Sequence, residues 1–203
     1  KAGRLALVGL FALFVSATLS PADAAAPKTA ALVVDAYSGK VLYSRSADEY
    51  RYPASLTKVM TLYLLFEKLE AGETTLKSKI TMTPKGAGMP PSKLGLRAGQ
   101  TISVEDAILA LVTRSANDVA SATGAFIAGT EDDFAVLMTK KARALGMSKT
   151  TYKNASGLPN SAQKTTARDQ ATLAKRVRED FPQYYHYFST EYFAWGKARI
   201  RNH

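Results

Sequence analysis

One stretch limits what this chain can become: Val59, Met60, Leu62, Leu64, Leu65, Phe66 and Leu69 are apolar nearly all round a helix, so that helix must lie inside the fold. Pro53 opens it by disfavouring helix at Tyr52, and Ala71-Gly72 closes it. Its first turn carries Ser55 and Lys58, three residues apart and therefore on one face, where the amine can reach the hydroxyl oxygen. A serine hydroxyl needs a neighbouring base to become a nucleophile, and desolvation of a lysine lowers its pKa toward that role. Backbone N–H groups at a helix start have no internal partners and can hold an oxyanion. Taken alone, a serine there is usually a cap and a lysine one turn later a solvated side chain.

The remaining chain surrounds this helix. Residues 30–35 and 41–44 read as two short strands joined by a hairpin with Gly39 at its strained position. A short strand is expected at 79–82. Residues 84–99, with Gly86, Gly88, Pro90, Pro91, Gly95 and Gly99, read as a long loop, either a lid or a plain surface excursion. Ser103-Val104-Glu105-Asp106 is a capping box that opens a helix. That helix breaks at Thr113-Arg114-Ser115-Ala116-Asn117-Asp118 before a second one of small residues. Two readings fit the break: helix capping by Ser115 or Asn117, the simpler on this segment alone, or a polar cluster turned toward a cleft. Residues 131–145 form an amphipathic helix stopped by Gly146, and Thr166-Ala167-Arg168-Asp169 caps another that ends near Phe181-Pro182. The aromatics of 184–195 are expected to pack against the helices rather than to stack on nucleic acid.

Composition removes several kinds of chemistry. The 203 residues include no cysteine, which excludes disulfides, thiol catalysis and thiolate metal sites. With only His186 and His203, a histidine zinc site and a Ser-His-Asp triad are both unsupported, and no cofactor or metal is expected. Lys1 and Arg4, an apolar run over 5–19 and Ala22-Asp23-Ala24 read as a secretory signal over 1–24, and no repeat or clear linker divides residues 25–203. The apolar run is short for a membrane span. The net charge of +10 suits anionic headgroups or wall polymers, and equally plain solubility; an exported chain rarely meets nucleic acid.

Ser55-Leu56-Thr57-Lys58, followed about sixty residues later by Ser115-Ala116-Asn117, resembles the first two motifs of the penicillin-recognising serine enzymes. Asn154-Ala155-Ser156-Gly157-Leu158 and Thr166-Ala167-Arg168-Asp169 narrow the likeness to the low-molecular-mass D-alanyl-D-alanine carboxypeptidases. The resemblance implies an α/β (α+β) fold of the β-lactamase/DD-peptidase kind, an antiparallel sheet flanked by helices with a mostly helical subregion. By the same resemblance Ser55 is the acylated nucleophile, Lys58 its proton acceptor, Ser115 a proton carrier and Asn117 a substrate-orienting group. Residues 84–99 would border the cleft.

The expected substrates are peptidoglycan stem peptides ending in D-Ala-D-Ala, and β-lactams are expected as covalent inhibitors. The setting is the periplasm, with membrane attachment left to the C-terminal amphipathic tail that many members carry. The family's third motif, Lys-Thr-Gly, does not occur; Lys149-Thr150-Thr151 and Lys164-Thr165-Thr166 lack the glycine and come early. The resemblance thus implies a sequence that stops before that motif, residues 25–203 being a partial DD-peptidase catalytic domain with its sheet incomplete. A serine β-lactamase and a non-catalytic β-lactam sensor or wall-binding protein are the alternatives. The first needs a glutamate base, and no acid lies between Asn154 and Ala167.

Overall fold

The structure, a computed structural model, describes residues 29–202. The secretory leader expected over 1–24 lies outside the described residues. No helix among the described residues is long and apolar enough to cross a membrane.

The chain starts as a hairpin, β1 (Ala31–Val34) against β2 (Val41–Arg45), antiparallel with Ala31 opposite Arg45. Its turn is built by Asp35, whose carboxylate accepts the Tyr37 and Ser38 N–H groups at 3.2 and 2.7 Å, while Gly39 takes φ 71°. A 3-10 turn over Ala54–Leu56 then runs directly into α1 (Thr57–Glu70). From Thr57 to Phe66 only Val59 in α1 is not fully buried, and Ala71 and Gly72 (φ 68°) end it, as its apolar girdle requires.

Around α1 stand α3 (Val104–Arg114), α4 (Asn117–Ala128), α5 (Glu131–Ala144) and α6 (Ala167–Asp180). Met60, Leu65, Phe66, Ile108, Val119, Phe134 and Met138 make a continuous core beneath them. Each such side chain contributes about 1.5–3 kcal/mol on burial, which is what holds α1 in place. The caps follow the local sequence: Ser103 accepts the Asp106 N–H at 3.0 Å, Thr130 the Asp133 N–H at 3.0 Å, and Thr166 the Asp169 N–H at 3.1 Å. Gly124 is required for close packing of α4 on α5, since a Cβ there would lie 2.8 Å from the Phe134 ring.

Three features depart from the sequence reading. Residues 84–99 are not loop throughout: α2 (Pro84–Ala87) forms first, with Thr83 capping and Pro84 in its first turn. The strand β3 (Lys79–Thr81) finds its partner in β4 (Thr101–Ser103), immediately before the capping box. The aromatic tail contains a 3-10 turn (Tyr185–Ser189) and a hairpin, β5 (Tyr192–Trp195) with β6 (Ala198–Arg201), turned at Gly196. The packing expected of that tail is present nonetheless. Phe66 stacks on Tyr184 with ring centroids 5.0 Å apart, and Phe193 is buried on the inner face of β5. The described strands form three separate two-stranded antiparallel sheets.

Candidate active site

Pro53 and Ala54 set the angle at which the chain enters α1. Ala54 adopts φ 47°, a left-handed conformation uncommon for a residue with a Cβ, and the 3-10 turn it begins leaves Ser55 exposed on top of a buried helix. Gly157 presses against the same point from another segment: a Cβ on it would stand 1.7 Å from the Ala54 carbonyl oxygen. Only glycine permits that approach, and its φ of 87° also favours glycine. A recess of about 400 Å³ opens here, between Tyr52, Ala54, Gly157, Leu158 and Pro159.

Ser115 closes α3 in the left-handed region (φ 53°, ψ 42°). A serine held there without glycine's freedom stores strain, and its hydroxyl is thereby turned off the helix axis. It donates to Ser55 Oγ at 2.9 Å across sixty residues of sequence. The polar break between α3 and α4 is therefore both: Ser115 is the C-terminal cap residue of α3, its N–H donating to the Ala110 carbonyl, and its hydroxyl faces Ser55, while α4 starts after Ala116 with no side-chain cap.

Lys58 is almost wholly buried, 3% exposed. Its Nζ donates to Asn117 Oδ1 at 2.9 Å and to the Ser156 carbonyl at 2.6 Å, and no carboxylate pairs with it among the described residues. Burial without a counter-charge brings its pKa down to about 8. The i to i+3 spacing does not yield a Ser55–Lys58 hydrogen bond in this arrangement; the amine is turned to Asn117 and Ser156. The consequence is geometric. A neutral amine has two N–H bonds, and with both taken by fixed acceptors its lone pair has one direction left.

Asn117 is fixed as firmly as the group it holds. Its Nδ2 donates to the Pro90 and Pro91 carbonyls, both at 3.1 Å, and its N–H to the Ser92 carbonyl at 2.7 Å. The neighbouring Asp118, fully buried, accepts the Leu94 and Gly95 N–H groups at 3.1 and 2.8 Å. Residues 90–95 are thus tied to the first turn of α4 and border the site.

The family described as peptidase S11, D-alanyl-D-alanine carboxypeptidase, matches residues 16–203. The chain belongs to this family. Among curated proteins it is 34% identical over 147 residues to the D-alanyl-D-alanine carboxypeptidase DacF of Bacillus subtilis, covering 72% of this chain and 38% of that one. Among solved structures, the D-alanyl-D-alanine carboxypeptidase DacD of Francisella tularensis superposes with a TM-score of 0.80 at 32% identity, over 85% of this chain and 42% of that one. Penicillin-binding protein D2 of Listeria monocytogenes, solved in an ampicillin-bound form, gives a TM-score of 0.75 at 29% identity, over 85% and 71%. The chain spans about two fifths of the length of the curated relatives it matches first. Its fold is that of the DD-peptidases, α+β, here with helices around α1 and small antiparallel sheets beside them.

In this family member the two Lys-Thr-Thr triplets do not face the recess. They are held to each other: Thr151 bridges Lys164, and the Thr150 and Thr165 hydroxyls lie 2.8 Å apart in the interior, with Thr150 also donating to Asp169 at 2.7 Å. Their contacts fasten the 149–151 and 164–166 segments to each other and, through Asp169, to the start of α6. What residue-by-residue reading did not find are the backbone partners. The carbonyls of Ser156, Pro90 and Pro91 carry no side-chain signature, and only the glycine of Ser156-Gly157 signals a close approach.

Proposed function

We propose that this protein is a serine-type D-Ala-D-Ala carboxypeptidase that removes the terminal D-alanine from peptidoglycan stem peptides through an acyl-enzyme on Ser55. The observation that carries the reading is the Ser55–Ser115 hydrogen bond of 2.9 Å beside a buried lysine with no carboxylate partner. Membership of the carboxypeptidase family supports the substrate class.

Ser55 Oγ attacks the carbonyl carbon of the penultimate D-alanine, and Lys58, neutral, takes the hydroxyl proton as the C–O bond forms. Negative charge moves to the carbonyl oxygen at the start of the buried helix, where the Ser55 N–H is available to it. The C–N bond then breaks. Ser115 passes the proton to the departing amine, which leaves as D-alanine, and Asn117 holds both Lys58 and the peptide in register. Water attacks the ester carbonyl and gives up a proton to Lys58, neutral again; that proton passes to Ser55 Oγ as the ester C–O bond breaks, releasing the shortened peptide with Ser55 restored. A β-lactam presents a strained amide to the same hydroxyl and is expected to acylate it. The proposed setting is the periplasm.

The test is to incubate the purified protein with a labelled penicillin and, separately, with a D-Ala-D-Ala peptide. Label must appear on the peptide containing Ser55 and D-alanine must be released, and Ser55→Ala must abolish both. Label without release makes the protein a β-lactam sensor, and rapid loss of label makes it a β-lactamase.

A further inference from the structure

Glu131, the first residue of α5, is 3% exposed and touches neither Ser55 nor Lys58. A carboxylate buried that deeply is costly unless its oxygens are matched by donors. Here they are: Oε1 accepts the Ala155 N–H at 3.1 Å, and Oε2 accepts the Ser121 hydroxyl at 2.8 Å with the Lys85 ammonium 3.3 Å away. Lys85 also reaches Asp132 at 2.9 Å, on the exposed side.

The Ala155 N–H is the point that matters, because residues 155–156 face α1 with their carbonyls. The Ala155 carbonyl accepts Thr61 Oγ1 at 2.7 Å and the Ser156 carbonyl accepts Lys58 Nζ at 2.6 Å. Lys58 and Thr61 lie on one face of α1, three residues apart. The two-residue segment is therefore clasped from opposite sides, by α1 through its carbonyls and by Glu131 through its N–H. Asn154 Oδ1 fixes its far end, accepting the Ser156 and Gly157 N–H groups at 3.2 and 2.7 Å.

We infer that Glu131 is a positioning residue for Lys58: by holding the Ala155 N–H it places the Ser156 carbonyl to which the amine donates, and so fixes where that amine stands. The inference rests on the proposed carboxypeptidase reading for its link to chemistry, but the positioning itself is a property of the fold. What matters is where the acceptor oxygen stands, not its charge. Glutamine keeps that oxygen, with Oε1 accepting from Ala155 and Nε2 donating to Ser121 Oγ. Aspartate keeps the charge and withdraws the oxygens by one methylene.

The experiment compares Glu131→Gln and Glu131→Asp in the full chain, measuring the second-order rate of Ser55 acylation by a fluorescent penicillin from pH 6 to 10. The Gln variant is expected within about threefold of wild type with the same pH midpoint. The Asp variant is expected to lose about tenfold or more, since small misplacements of a reacting group are expensive in rate, and to shift its midpoint. Equal rates and midpoints in both, or Asp intact and Gln impaired, would overturn the inference. Hydrogen exchange over residues 153–158 is measured alongside, independently of turnover. Protection retained in Gln and lost in Asp supports the positioning even if the wild type takes no label, a result that would sink the carboxypeptidase reading alone. Equal protection in both variants overturns it.

Discussion

The proposed acylation of Ser55 should depend on pH through the burial of one amine. An ordinary lysine, with a pKa of 10.5, is neutral in about one molecule in three thousand at pH 7; with a pKa of about 8, Lys58 is neutral in roughly one in ten. Desolvation therefore enlarges the fraction of competent base about 300-fold at neutral pH. Because only the neutral form accepts a proton, the acylation rate should climb about tenfold per pH unit up to pH 7 and level off above about 8. The perturbation is Lys58→Arg, which keeps the positive charge and cannot be deprotonated in this range; it should abolish acylation at every pH. The assay is the time course of labelling by a fluorescent penicillin from pH 5.5 to 10, with the modified peptide identified by mass. A profile flat between pH 6 and 9, a midpoint at 10 or above, or an active Arg variant would refute the assignment of Lys58 as the base.

Three further outcomes are expected. Lys58→Met should alter stability in a pH-dependent way. The folded pKa lies below the unfolded one, so between about pH 8 and 10.5 the unfolded chain binds more protons and wild-type stability gains up to ~1.4 kcal/mol per pH unit, a gain the Met variant lacks in denaturant titrations. Ser115→Ala should fold with a nearly unchanged melting temperature, because alanine keeps the same left-handed strain and the hydroxyl's bond is to Ser55, yet acylate about 10²–10³-fold more slowly. Gly157→Ala must drive a Cβ into the Ala54 carbonyl, 1.7 Å away, at φ 87°; a stability loss of at least ~2 kcal/mol and slowed labelling of Ser55 should appear together.

Much of the fold was legible because its signals are local. The all-round apolar residues of α1 state that it is central, and the capping residues Ser103 and Thr166 stand where the structure starts α3 and α6. The turn at Gly39 was legible for the same reason. The pairing of β3 with β4 was not, since three-residue strands with one buried side chain each, Ile80 and Ile102, carry too little alternation to be seen. Within residues 84–99, glycine and proline content masked α2, although Thr83 and Pro84 are an ordinary helix opening.

The site divides along the same line. Ser55, Lys58, Ser115 and Asn117 could be named because their side chains form short motifs, and the structure brings them together through contacts no motif encodes. Ser115 was ambiguous between cap and cluster until its backbone showed it to be both: a left-handed serine is a poor helix terminator unless something is gained by aiming its hydroxyl, and what is gained is the bond to Ser55. The groups that aim Lys58 are a backbone carbonyl at Ser156 and an amide at Asn117, and what holds these two is backbone again, the Ala155 N–H and the Pro90 and Pro91 carbonyls. Backbone atoms are the same in every residue, so their placement is decided by the fold and by the few side chains, Glu131, Asn154 and Asp118, that fasten them. Motif residues thus announce the chemistry, and the precision of that chemistry resides in polar side chains that look, along the chain, like any others.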